Sequence, residues 1–236
     1  MTDDLGVDAA TIGAAGGHRC HPRHLTSGNL GIISIRGEQD FCRVRNVSRT
    51  GLMAQVYRQI EVGENIRIET KSHHVVHGSV VWATQHVPAL ASILVRQVGI
   101  KFHEAVDVEP LLSSHCSAEP GHLQRRPRIQ VSCPVRVSAD MRQLSGELCD
   151  ISQGGAKIQV RNGLIGERRL SLLIRNLPPL HADVSWTHGS ISGVTFHEAI
   201  SLEPLIAWLR SYRMEAGPEA SPFGTACPVA PAAFHG

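Results

Sequence analysis

The chain has 236 residues, 42 % of them hydrophobic, enough for one large domain or two ordinary ones and too apolar for a disordered protein. A formal net charge of +2 argues against a general nucleic-acid binder, which carries a strongly basic face, and an aromatic content of 4 % leaves few stacking platforms for single strands. No apolar run approaches the roughly 18 residues a membrane-spanning helix needs, and the acidic start MTDDLGVDAATIGAAGG lacks the basic region of a secretory signal.

In chain order, residues 1–15 read as a loose tail. An arginine-bearing cluster follows, HRCHPRH (18–24), and then short runs that alternate or are rich in β-branched residues: LGIISIR, FCRVRNV, GLMAQVY, NIRIET and VVHGSVVWA. Val108, Leu111 and Leu112 recur at helical spacing and predict a helical turn closing a first domain, 16–113. Residues 114–121 form a polar linker. A second cluster, QRRPRI (124–129), opens a second domain, 122–213, with strands over RIQVSCPVRVS, GELCDIS, GAKIQV, RRLSLLI, HADVSWTH and ISGVTFH. Its closing helix carries Leu202, Leu205, Ile206 and Leu209, and the Pro- and Ala-rich residues 214–236 read as a disordered tail.

The halves are copies of one another. Laying Asp150 over Asn46 aligns Ser152 with Ser48, Gly155 with Gly51 and Trp186 with Trp82. After the tryptophan the first copy carries ten extra residues; then VGIKFHEAVDVEPLL matches SGVTFHEAISLEPLI. A duplication of short, evenly spaced strands predicts two small barrels or sandwiches, each with a helix over one end. Trp82 and Trp186 read as core residues.

A lone Asp-Ile-Ser-Gln-Gly-Gly is a turn between strands. Here the pattern recurs in both copies, and each has arginines upstream at matching intervals, Arg23 before Asn46 and Arg128 before Asp150. These residues resemble the PilZ family, receptors for cyclic di-GMP, whose signature is RxxxR followed by [DN]xSxxG. Arg19 and Arg23 match the first motif, and Asn46, Ser48 and Gly51 the second. In the second copy Asp150, Ser152, Gly155 and Arg128 match, but Gln124 stands where the first arginine belongs and Arg125 and Arg126 flank it.

The resemblance implies a mainly β fold: two tandem six-stranded barrels, each with a C-terminal helix. It implies a cytoplasmic bacterial receptor with no enzymatic activity and no cofactor, whose ligand orders the arginine loops and alters domain arrangement or partner binding. A protein-interaction scaffold that binds no ligand is the alternative. The chemistry fits a ligand site: arginine's planar fork matches guanine O6/N7 and phosphate oxygens, and it stacks on flat rings. Asp150 or Asn46 can accept from the opposite guanine edge, with the serine hydroxyls adding contacts and the glycines admitting the ligand to the backbone. The first copy, with both arginines at the family spacing, is expected to bind more tightly.

Two other chemistries fit less well. His18, Cys20, His21 and His24 lie close together without a cysteine pair, and His73 and His77, beside His74, have the HxxxH spacing of a zinc site but on a segment read as strand rather than helix; the six cysteines show no CxxC. Ser48 and Ser152 lack a nucleophile elbow. His103 and His197 follow the Phe of the last strand at a shared structural position.

Overall fold

A computed structural model describes residues 22–70, 74–84, 87–88, 94–112, 126–139, 142–161 and 163–216. Residues 1–15 and 217–236 of the expected tails, the linker 114–121, Arg19, Arg125 and the clustered His18, Cys20, His21 and His73 lie outside the described residues, while 214–216 are helical. The first half contains β1 (His24–Ile35), β2 (Glu38–Ser48), β3 (Gly51–Val56), β4 (Asn65–Thr70), β5 (Val75–Ala83), β6 (Val87–Pro88), β7 (Leu94–Phe102) and the short helix α1 (Glu109–Leu112). The second contains β8 (Ile129–Ala139), β9 (Arg142–Ser152), β10 (Gly155–Val160), β11 (Arg169–Ile174), β12 (Leu180–His188), β13 (Ile191–Phe196) and the helix α2 (Leu202–Ala216).

Each half is a closed antiparallel barrel of six strands. The first runs β3-β2-β1-β4-β5-β7 and closes by pairing β7 with β3; β6, within the ten extra residues, adds two residues to the edge of β7. The second runs β10-β9-β8-β11-β12-β13 and closes by pairing β13 with β10. The order is the same, as the duplication predicts. Alternation drives it: Leu52, Ala54 and Val56, or Ala156, Ile158 and Val160, point inward while the intervening residues face out. Closing the sheet pairs each of the six barrel strands on both sides.

The helices differ. α1 is a single turn with Leu111 buried. α2 runs 15 residues and buries Leu202, Leu205, Ile206, Trp208 and Leu209 over the second barrel, each large apolar side chain contributing about 1.5–3 kcal/mol. The barrels also meet: Leu30, Ile32, Phe41 and Tyr57 of the first belong to one continuous buried cluster with the second barrel's core.

One sequence expectation is corrected here. Trp82 and Trp186 are not core residues; they are 37 % and 41 % exposed. Strand parity alone would turn Trp82 inward with Val80 and Trp186 inward with Val184. A β-bulge intervenes in each copy, between Val80 and Trp82 and between Val184 and Trp186, and flips the indole to the outer face. The glycines of the turn also serve the barrel. A Cβ at Gly51 would overlap the Ile100 carbonyl and one at Gly155 the Val194 carbonyl, so glycine is what lets the adjacent strand close.

Candidate functional site

Bulges also place the acidic or amide residue of each turn. On β2 the register shifts between Val44 and Asn46, and on β9–β10 it shifts between the Leu148–Ile158 and Asp150–Lys157 pairs. Val44 and Leu148 point into their barrels, while Asn46 pairs with outward Met53 and Asp150 with outward Lys157. Each copy thus carries its Asn or Asp and its Trp on the same outer surface, both re-aimed by an extra residue.

The serines hold the turn. Ser48 Oγ donates to the Gly51 carbonyl at 3.1 Å and Ser152 Oγ to the Gly155 carbonyl at 3.0 Å. Ser152 Oγ also accepts from Gly154 N–H at 3.3 Å. Both hydroxyls are buried, and their donors are spent inside the turn. Their geometry is that of a brace under the site.

On the first barrel, Arg23, immediately before β1, lines a pocket of about 230 Å³ together with Ser48, Gly51, Trp82 and Lys101. Trp82 and Gly99 both line it, the indole lying against Gly99. A methyl group at Gly99 would sit inside the van der Waals shell of that ring. Asn46 is 8 % exposed, its Nδ2 lies 3.9 Å from Met53 Sδ, and its Oδ1 is buried with no hydrogen-bond partner. A buried unpaired amide oxygen costs free energy until a donor meets it. The arrangement offers a cationic arginine and lysine, an exposed aromatic face and one waiting acceptor.

The second barrel brings Arg126, Arg128, Asp150, Ser152 and Gly155 together. Arg128 Nη1 donates to Asp150 Oδ1 at 2.9 Å, and Lys157 Nζ lies 3.4 Å from Asp150 Oδ2. The carboxylate is buried and both its oxygens are held by cations. Arg126 lays its side chain over Gly154, where its Cδ would be 3.4 Å from a Cβ. Trp186 repeats Trp82, its indole against Gly193. At the cross-strand pair beside the turn the copies differ in charge, Asn46–Met53 against Asp150–Lys157: a neutral pair in one, an ion pair in the other.

The exposed tryptophans and Lys101 and Lys157 escaped the sequence reading. The recurrence of Trp at one position was visible; its direction was not, because a bulge reverses parity. Among the described residues no group of three His, Cys, Asp or Glu side chains converges on a metal geometry, and no helix is long and apolar enough to cross a membrane.

Two closed barrels of one topology, each with a braced turn under an arginine and a solvent-facing indole, define a class of tandem β-barrel module with a duplicated surface site. In the second copy, residues 123–211 match the model described as the PilZ domain. No curated protein matches it in sequence. Among solved structures it is similar to the Borreliella burgdorferi PlzA protein in complex with c-di-GMP, with 13 % identity over 78 % of this chain and 87 % of that one and a TM-score of 0.35. It is similar to the Bacillus subtilis inhibitor of motility, at 11 % identity over 78 % and 94 % with a TM-score of 0.32. It is also similar to Escherichia coli YcgR in complex with c-di-GMP, at 16 % identity over 80 % and 88 % with a TM-score of 0.28.

Proposed function

We propose that the protein is a cyclic di-GMP receptor with two tandem PilZ-like sites, a binding module rather than an enzyme. The observation that carries this is the pocket on the first barrel lined by Arg23, Lys101 and the Trp82 face, with the unpaired Asn46 Oδ1 on the neighbouring stretch of β2. A cyclic dinucleotide of guanine presents two phosphate charges, flat rings and N–H donors, and each has a partner there. Arginine and lysine take phosphate or the guanine O6/N7 edge, the indole takes a ring face, and Asn46 Oδ1 takes a guanine N–H. Arg19, on the same segment, supplies the second guanidinium.

In the second barrel Arg126 and Arg128 take the corresponding part, with Arg125 beside them, and Asp150 is the acceptor. There the ligand must first displace Arg128 or Lys157 from the carboxylate, which lowers its net gain. The first site is therefore the tighter of the two. Binding orders the segments that carry the arginines, 17–24 and 116–128, and so biases the arrangement of the two barrels or the surface offered to a protein partner, an order–disorder device. The ligand drives it only through its differential affinity for the two arrangements.

Titration calorimetry of the full chain with cyclic di-GMP tests this directly. Saturable heat that disappears with Arg23→Ala supports the receptor. No heat at either site makes the protein a non-binding scaffold.

A further inference from the structure

α2 continues past the buried residues that close the second barrel, to Ala216. The fully buried apolar side chains with which α2 closes the second barrel end at Leu209, and Tyr212 packs partly buried against the same cluster; the last residues of α2 follow. The match to the family model ends at residue 211, just before them.

Those turns are pinned to the second barrel on one side. Trp208 Nε1 donates to the Arg175 carbonyl at 3.0 Å, and its ring stacks on Tyr212 with centroids 5.6 Å apart. Tyr212 Oη donates to the Ser132 carbonyl at 2.8 Å and accepts from Ser132 N–H at 3.1 Å. Glu215 is held by Arg175 and Asn176. So fixed, the helix aims Arg213 at the other barrel. Its Nη1 lies 3.1 Å from Asp40 Oδ2, and its Nη2 donates to the Gln39 carbonyl.

Asp40 is 3 % exposed, and its other oxygen accepts from Phe41 N–H at 2.8 Å. Arg213 is the salt-bridge partner of this carboxylate among the described residues. A buried charge deprived of its counter-ion is strongly disfavoured. Gln39 Oε1 also accepts from Gln130 N–H at 3.3 Å, on the strand that begins beside Arg128. We propose that the extension of α2 is an interdomain clasp: Arg213, positioned by Tyr212 and Glu215, neutralises Asp40 of the first barrel and fixes the resting angle between the barrels. The clasp goes beyond the receptor reading and supplies the arrangement a ligand would have to shift.

The test is made on the full chain without ligand, so it is independent of whether cyclic di-GMP binds. Spin labels go on Val62→Cys and Ile165→Cys, both exposed and one in each barrel. Cys20, Cys116 and Cys227 are replaced by Ser, while Cys42, Cys133 and Cys149 are buried. The clasped protein should give a single narrow interlabel distance. Asp40→Asn keeps the acceptor for Phe41 N–H and removes only the charge; Arg213→Met keeps the stem and removes the guanidinium. Both should broaden the distribution at least twofold while far-UV circular dichroism stays that of two folded barrels. A narrow distance in Arg213→Met would overturn the clasp, as would broadening by Asp40→Asn alone. Loss of strand signal in Arg213→Met would overturn it too, by assigning that side chain to the stability of its own barrel.

Discussion

Arg23 is solvent-exposed and precedes the first strand, so its removal should touch binding and leave folding alone. Arg23→Ala deletes charge-assisted hydrogen bonds worth about 1.5–3 kcal/mol, which is roughly a ten- to hundredfold loss in affinity for cyclic di-GMP. Calorimetry reads the affinity, and an unchanged thermal midpoint confirms that the barrel is intact. Trp82→Ala should cost about 1–3 kcal/mol if its indole stacks on a base. Cys42 shows the opposite kind of residue. Burial foremost, and then the charge of Asp40, push its thiol up from 9.0 to about 12, and burial followed by Glu147 pushes Cys133 to about 11. Raised folded values mean that the native state keeps these protons when the unfolded chain has lost them. Their contribution is fully present below pH 9 and is lost as pH rises through the folded values, so stability should fall between about pH 9 and 12. Urea unfolding across that window should show a shallower fall for Cys42→Val; an identical slope would assign the alkaline loss to other groups.

At the scale of the element, what makes the site is the pairing of a bulged strand with a glycine on its neighbour. The bulge at Val81 turns Trp82 outward, and Gly99 provides the flat bed on which its ring lies. Gly99→Ala should lift the indole, seen as a shift in tryptophan emission, and weaken cyclic di-GMP binding while Arg23 is still in place. Emission and affinity both unchanged would mean that the ring is not held as described. The turn is a second such element. Ser152→Ala removes a buried brace and leaves the Gly154 N–H without its acceptor, a loss of about 1–3 kcal/mol in stability. The cross-strand pair Asp150–Lys157 sets the two copies apart. In the intact chain Arg23→Ala should therefore remove the tighter of two binding events and Arg128→Ala the weaker, and the reverse order would show that the preformed ion pair helps rather than competes.

For the molecule as a whole, the barrels share one apolar cluster and a buried ion pair, so a change at either site is felt against a fixed reference. Hydrogen exchange with and without cyclic di-GMP should show added protection at 17–24 or 116–128. Binding that leaves both segments exchanging as before would make the protein a receptor without a loop-ordering switch.

The sequence by itself determined the duplication, the mainly β class, almost every strand and the residues of the turn, because these follow from local alternation, glycine placement and repeated spacing. GAKIQV is β10 to the residue, and NIRIET is β4. Tertiary structure decided what each conspicuous side chain faces. One extra residue in a strand moved Trp82 and Trp186 from core to surface, and nothing in the local pattern announces a bulge, since it is fixed by the register of the partner strand. Closure of the barrel decided that Gly51 and Gly155 serve a neighbouring strand. The partnership of Asp40 with Arg213, 173 positions apart, depends on two barrels docking face to face, a matter of shape and desolvation that no short-range pattern encodes.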